Sequence, residues 1–190
     1  MTTWHWVRHG HTHQKTFTGW RDVPADLSDS AAIARLAAYL PDDALVVSSD
    51  LMRSIDTATA LQGKRTRVPH DPALREFHFG VWDGVHFSTV AGWRPDLSRA
   101  YWEDPGDHTP PGGESWNASA ARVAMSVQRI EAAHPGRQII AVAHFGVILP
   151  QVQAVLGITA QEVLSYKIDP LSVTTLNRAT GRADTINHLP

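Results

Sequence analysis

The sequence predicts an α/β fold, a three-layer α/β/α sandwich on a mostly parallel central sheet, and two patterns carry that expectation. Short apolar runs at 4–7, 44–47 and 139–143 alternate with segments whose apolar residues recur at helical spacing. That alternation marks a sheet covered on both faces. Each run also ends in polar residues: Arg8-His9, Ser48-Ser49-Asp50 and His144. Open α/β sheets bind ligands beyond the carboxyl ends of their strands, so these three ends are expected to converge on a site. With 190 residues, 43% of them hydrophobic and 19% charged, the chain reads as one globular domain, 1–190.

Residues 2–8 read as a buried first strand, followed by a loop over 9–27 rich in Gly, Thr and Pro. Ser28 or Asp29 can cap a helix through Leu40, because Ile33, Leu36, Ala37 and Leu40 share one face. Residues 44–48 form a second strand. Asp50 can cap the next helix, whose face is Leu51, Ile55 and Ala58 and whose end is Gly63. Residues 67–70 make a short edge strand, since Pro69 cannot donate to a central ladder. The stretch 72–114 is irregular, a loop-rich cap insertion carrying Trp82, Trp93 and Trp102. Irregular stretches of that length inside a compact domain are usually functional. Ser115 opens a long helix to about Ala133, stopped by His134-Pro135-Gly136. The clearest buried strand, 139–143, leads into a helix over 146–156 ending at Gly157. Alternation at 172–176 and 183–186, with a turn at 177–181, predicts a terminal hairpin.

Charge and composition exclude several classes. The formal net charge is −2, which argues against a nucleic-acid or anionic-membrane partner. Cysteine is absent, so neither disulfides nor thiolate chemistry is available. No stretch approaches the ~18 apolar residues of a membrane span, and no targeting segment opens the chain. The expected location is cytoplasmic. Eleven histidines include His5, His9, His11 and His13 near the start. Alternating histidines can share a strand face and hold a metal, but this spacing matches no familiar zinc pattern. One working histidine among packed or solvated ones is the better reading.

That histidine is His9, in Arg8-His9-Gly10-His11-Thr12. Neutral imidazole is a nucleophile, and a phosphoryl group is an electrophile wrapped in negative charge. An adjacent guanidinium grips phosphate oxygens and disfavours protonation of the ring. Gly10 allows a sharp turn and close approach to a ligand. Arg53, early in a helix, opposes the helix macrodipole unless an anion lies nearby.

Taken together, the segments 7–12, Gly19-Trp20-Arg21-Asp22-Val23-Pro24, 48–58, 74–84, Pro111-Gly112-Gly113-Glu114-Ser115 and 143–148 resemble the histidine phosphatase superfamily, also called the phosphoglycerate-mutase-like family. The resemblance runs from residue 7 to 148 in the expected order. It implies a phosphoglycerate-mutase-like sandwich and a phosphomonoester hydrolase acting through a phosphohistidine intermediate on a small phosphorylated metabolite. His9 would be the nucleophile, and Arg8 and Arg53 would hold the phosphoryl oxygens. His144 would donate to one of those oxygens. Glu76 would serve as general acid and then base, its pKa raised by Phe77, Phe79 and Trp82. Thr12 could contact the phosphate through its hydroxyl or backbone. No metal or other cofactor is needed, because two arginines and two histidines supply the charge.

The sequence departs from the family pattern at four places. Lys15 stands where asparagine is common, either adding charge at the pocket mouth or lying solvated. His11 replaces the usual glutamate or serine, and Phe145 replaces glycine. Residues 25–28 carry an insertion. Glu114-Ser115 reads as a helix cap. The rival readings are a phosphoglycerate mutase-type phosphotransferase, disfavoured because family mutases are longer, and a catalytically silent phospho-ligand binder, disfavoured by His9 with Glu76. Phe87, Trp93, Tyr101, Trp102, Trp82 and Trp116 could line a site for a flat or sugar-like leaving group or cover the core. An exposed tryptophan near the cap or hairpin would point to a homodimer.

Overall fold

The computed structural model describes residues 1–190. Strand β1 (Thr3–Arg8) is followed by α1 (Ser30–Tyr39), β2 (Leu45–Ser48), α2 (Met52–Gln62) and β3 (Thr66–Arg67). Helices α3 (Phe87–Trp93) and α4 (Pro95–Glu103) precede α5 (Trp116–Ala133), β4 (Gln138–Ala143) and α6 (Phe145–Leu156). A single-turn α7 (Ala160–Val163), β5 (Val173–Asn177) and β6 (Arg182–His188) complete the chain. One sheet takes all six strands in the order β3-β2-β4-β1-β5-β6. The pairs β3–β2, β2–β4 and β4–β1 are parallel, and β5 runs antiparallel to both β1 and β6.

Strand alternation divides the core in two. Trp4, Trp6, Val47, Ile139 and Ala141 face a cluster that includes Val123, Val127 and Ile148 of α5 and α6. Val7, Val46, Ile140 and Val142 face Leu36, Ala58 and Leu61 of α1 and α2. Both faces are therefore covered, which is why the central strands read as continuous apolar runs. Asp29 caps α1 by accepting from Ala32 N at 2.9 Å, and Ser115 caps α5 by accepting from Ala118 N at 3.1 Å, both as expected.

Three expectations change. Asp50 does not cap α2. It instead binds Arg75 in a two-pronged pair at 2.7 and 2.6 Å, and the first amide of α2, Met52 N, donates to Asp22 at 2.8 Å. The cap insertion is less irregular than expected, because it contains α3, α4 and two 3-10 turns, Pro72–Leu74 and Gly80–Trp82, between its loops. Gly10 is needed for packing and not for a special turn. A Cβ there would lie 2.6 Å from Leu27 and 2.9 Å from the Asp26 carbonyl, the segment that carries the insertion. No helix is long and apolar enough to cross a membrane.

Candidate active site

Sheet order sets β2, β4 and β1 side by side, so Ser49, His144 and His9 leave neighbouring strand ends. The amide of His9 donates to the Ala143 carbonyl at 3.1 Å, and that of Ser49 to Val142 at 3.2 Å. The rings of His9 and His144 lie 5.0 Å apart. His9 Nδ1 lies 2.7 Å from the Gly10 carbonyl. A carbonyl only accepts, so Nδ1 carries the proton and Nε2 keeps its lone pair. Burial above all, then the guanidinium groups of Arg53 and Arg8, holds the ring's pKa well below its ordinary value. The imidazole is neutral and nucleophilic near neutral pH.

Around His144, the hydroxyls of Ser49 and Ser54 lie 2.7 and 3.2 Å from Nε2. Its Nδ1 is buried with no protein partner. Burial, Arg53 and His9 also push this histidine's pKa well down. Arg53 is 1% exposed and donates to the carbonyls of Gly19 at 2.7 Å and Arg21 at 3.1 Å. Arg8 donates to the Ile168 carbonyl at 2.6 Å. Carbonyls orient these two guanidiniums without neutralising them, so their positive charge stays available for an anion. Thr57 ties the two elements together, accepting from Gly10 N at 3.0 Å and donating to the Arg53 carbonyl at 2.7 Å.

Glu76 approaches from the cap. Its Oε1 accepts from Phe77 N and from Gly146 N, each at 2.9 Å. Burial raises the carboxyl above its ordinary value, against the lowering pull of those amides and of Arg53 and Arg8. A Cβ on Gly146 would overlap both Glu76 Oε1 and the Phe77 ring, so this first-turn glycine of α6 is what lets the carboxyl seat. Trp20 Nε1 donates to the Glu76 carbonyl at 2.8 Å. Arg122 donates to the carbonyls of Ala73 at 2.8 Å and Arg75 at 3.0 Å and pairs with Glu114. Glu114 is thus an ion-pair partner that also accepts from His78 N at 2.9 Å, while Ser115 does the capping.

Two clefts open on this constellation. One, of about 350 Å³, is lined by Arg8, Glu76, Thr12 and aromatic residues including Phe87, Trp102 and Phe145. The other is lined by Arg8, His9, His11, Thr12 and the exposed Lys15. The structure therefore brings together His9, His144, Arg8, Arg53 and Glu76, with Thr12 on both clefts and Lys15 at a mouth. Of the candidate aromatics, Phe87 and Trp102 line a cleft. Trp82, Tyr101 and Trp116 are buried in the core, and Trp93 faces solvent. His5 points away, beside Thr175 at 3.3 Å and Gln138 at 3.0 Å, and His13 pairs with Asp26 at 2.8 Å. Sequence reasoning placed Ser49 at a converging strand end but missed its contact with His144, and it missed Ser54, Thr57, Asp22 and Gly146 as partners of the site. All but Gly146 are small polar residues whose partners lie tens of residues away.

Across residues 5–188 the sequence matches the model of the histidine phosphatase superfamily (branch 1). The chain belongs to that superfamily. A glucosyl-3-phosphoglycerate phosphatase of Mycolicibacterium vanbaalenii is 36% identical over 168 residues, covering 80% of this chain and 73% of that protein. A bifunctional protein of Mycobacterium tuberculosis is 37% identical over 127 residues, 66% of this chain. That alignment spans only 33% of the longer relative. The solved structure of a mycobacterial glucosyl-3-phosphoglycerate phosphatase superposes with a TM-score of 0.83 at 27% identity, covering 97% of this chain and 98% of that one. This histidine phosphatase superfamily member thus shares its fold from end to end with a metabolite phosphatase.

Proposed function

We propose that this chain hydrolyses phosphomonoesters of small metabolites through a phosphohistidine at His9. The observation that carries the reading is the seating of His9: buried, neutral, with Nδ1 committed to the Gly10 carbonyl and Nε2 free. Nε2 forms a bond to phosphorus as the ester P–O bond breaks, and the protonated Glu76 carboxyl gives its proton to the departing alkoxide. Glu76 then takes a proton from water, whose oxygen attacks the phosphohistidine and releases inorganic phosphate and neutral His9. Arg8 and Arg53 stabilise the charge on the phosphoryl oxygens. The Nδ1 of His144 has no protein partner and carries the proton for the same anion when Nε2 accepts from the Ser49 hydroxyl 2.7 Å away. Thr12 supplies a further contact, and Lys15 adds long-range attraction at the mouth. All of this charge comes from side chains, so the reaction calls for no metal.

Hydrolysis of p-nitrophenyl phosphate with EDTA present tests the reading. Wild type should turn over, and His9→Ala should lose on the order of 10³-fold or more in kcat. A chelator-sensitive activity, or a His9→Ala variant as active as wild type, overturns it. Absence of wild-type hydrolysis, with phosphate exchange between phosphoglycerates or with phosphate binding alone, identifies the mutase or the silent binder instead. The unit is read as one domain, and its cytoplasmic setting rests on the sequence. The homodimer reading rests on Trp93, which is 61% exposed on the cap. Sedimentation of wild type beside Trp93→Arg checks it.

A further inference from the structure

Resting on that reading, the two clefts differ in what they can accept, and Glu76 decides which of them holds the leaving group. A general acid must reach the ester oxygen, and Glu76 lines the aromatic cleft but not the one that carries Lys15 and His11. The part of the substrate that departs therefore lies between Phe79, Phe87, Trp102 and Phe145. Phe87 is 49% exposed, an apolar ring kept at the surface on the first residue of α3. It packs edge-to-face on Phe17, with the ring centroids 4.6 Å apart, and forms one wall of the cleft.

The charge inventory of this cleft is short. Arg8 and Glu76 are its only ionisable lining residues, and Arg8 is occupied by the phosphoryl group in the mechanism above. The remaining polar lining groups are the Gln14 amide and three threonine hydroxyls. Arg21 reaches Gln14 and Thr16 from outside the cleft, at 3.1 Å each, and pairs with Asp83 at 3.7 Å. A carboxylate on the leaving group would thus meet no further cation among the lining residues and would lie close to the Glu76 carboxyl. A ring would stack on aromatic walls, with its hydroxyls served by threonines.

We infer that the substrate is a phosphomonoester of an uncharged, ring-bearing alcohol, and that this aromatic cleft selects against phosphorylated sugar acids and amino acids. The selectivity sits in the cap, since α3 supplies Phe87 and α4 supplies Trp102. It differs from what the name of the glucosyl-3-phosphoglycerate phosphatase relative says of that protein, whose substrate carries a carboxylate.

Four unactivated substrates test this: benzyl phosphate, glycerol 1-phosphate, 3-phosphoglycerate and phosphoserine. The expected order of kcat/KM is benzyl first, with the two carboxylate-bearing esters lower by roughly tenfold or more. Phe87→Ala should reduce the benzyl-to-glycerol ratio by roughly tenfold, chiefly through KM, whereas Trp93→Ala, outside the cleft, should not change that ratio. Phe87→Lys should raise 3-phosphoglycerate relative to benzyl phosphate. Faster turnover of 3-phosphoglycerate or phosphoserine than of benzyl phosphate overturns the inference while leaving the hydrolase reading intact. So does a ratio insensitive to Phe87→Ala. Turnover of none of the four, nor of p-nitrophenyl phosphate, overturns both.

Discussion

Glu76 has two opposing demands on it, since it must hold a proton before the first step and give it up during that step. Burial meets the first demand by raising the carboxyl's pKa, and the amides of Phe77 and Gly146 meet the second by stabilising the carboxylate once formed. Glu76→Gln should therefore slow alkyl phosphates by on the order of 10²-fold or more and p-nitrophenyl phosphate much less, because an activated phenolate leaves without a proton. Equal losses on both would remove Glu76 from the acid role. The pH profile follows from the same groups. Activity on alkyl phosphates should fall as pH rises through the raised Glu76 value, while the low limb, set by protonation of His9, lies well below the ordinary histidine range. Ser49→Ala should lower kcat with little change in KM for a weakly held substrate, since it removes the shorter of the two hydroxyl contacts on His144 Nε2 without removing a phosphate contact. Activity restored by Ser49→Thr would mark the hydroxyl, and not the packing, as the group that matters. Arg8 and His9 stood out in the sequence through their own motif, and Arg53 through its place early in a helix, whereas the roles of Glu76 and His144 came from the family resemblance. The contacts of Ser49 and Ser54 were not legible, because a serine hydroxyl carries no signature until its partner, 95 or 90 residues away, is placed beside it.

At the scale of elements, the N-terminus of α6 organises the acid as well as His144. Its first-turn amide at Gly146 donates to Glu76, and no side chain fits there. Gly146→Ala should therefore displace Glu76 and Phe77, at a cost of about 1–3 kcal/mol in stability. It should also reproduce the Glu76→Gln pattern of alkyl-selective loss, and denaturant unfolding together with the two-substrate assay reads both effects. The start of α2 makes a second case. Asp50 looked like the cap by position, yet Asp22 takes the Met52 amide across from the loop after β1. Asp22→Ala should cost about 1 kcal/mol, the usual loss of an N-terminal cap, measured by thermal unfolding. The long helices were readable because ten or more residues share one period, and the central strands because each is a short, largely apolar run between polar ends. Helices α3 and α4 were not, since seven and nine residues give too few turns for a stripe. Pro95 at the first position of α4 and Asp96 in its first turn were the available signals.

For the molecule as a whole, burying neutral histidines, two at the strand ends and one within β1, sets a pH limit on the fold. His9, His144 and His5 all have pKa values lowered by burial. The unfolded chain therefore binds more protons than the folded one just below the ordinary histidine value of 6.5, and stability is lost as pH falls through that range. Glu76 works in the opposite sense nearer its ordinary value of 4.5. Melting temperature should decline between pH 7.5 and 5.5, and His144→Asn should flatten that decline. A melting temperature that rises on acidification would contradict the neutral seating of these rings.

The sequence by itself determined the alternation of strand and helix, the two-sided core and the order of the motifs, and the resemblance carried by those motifs pointed to the five side chains proposed for phosphoryl chemistry. These properties are local, arising from hydrophobic period, capping and residue type within a dozen positions. Only the tertiary structure decided which nitrogen of His9 is free, that Glu76 is buried, that Asp22 and not Asp50 caps α2, and which aromatics line a cleft. Those outcomes depend on contacts between segments far apart in the chain, where burial and a partner's position set charge and hydrogen bonding. No local pattern records them.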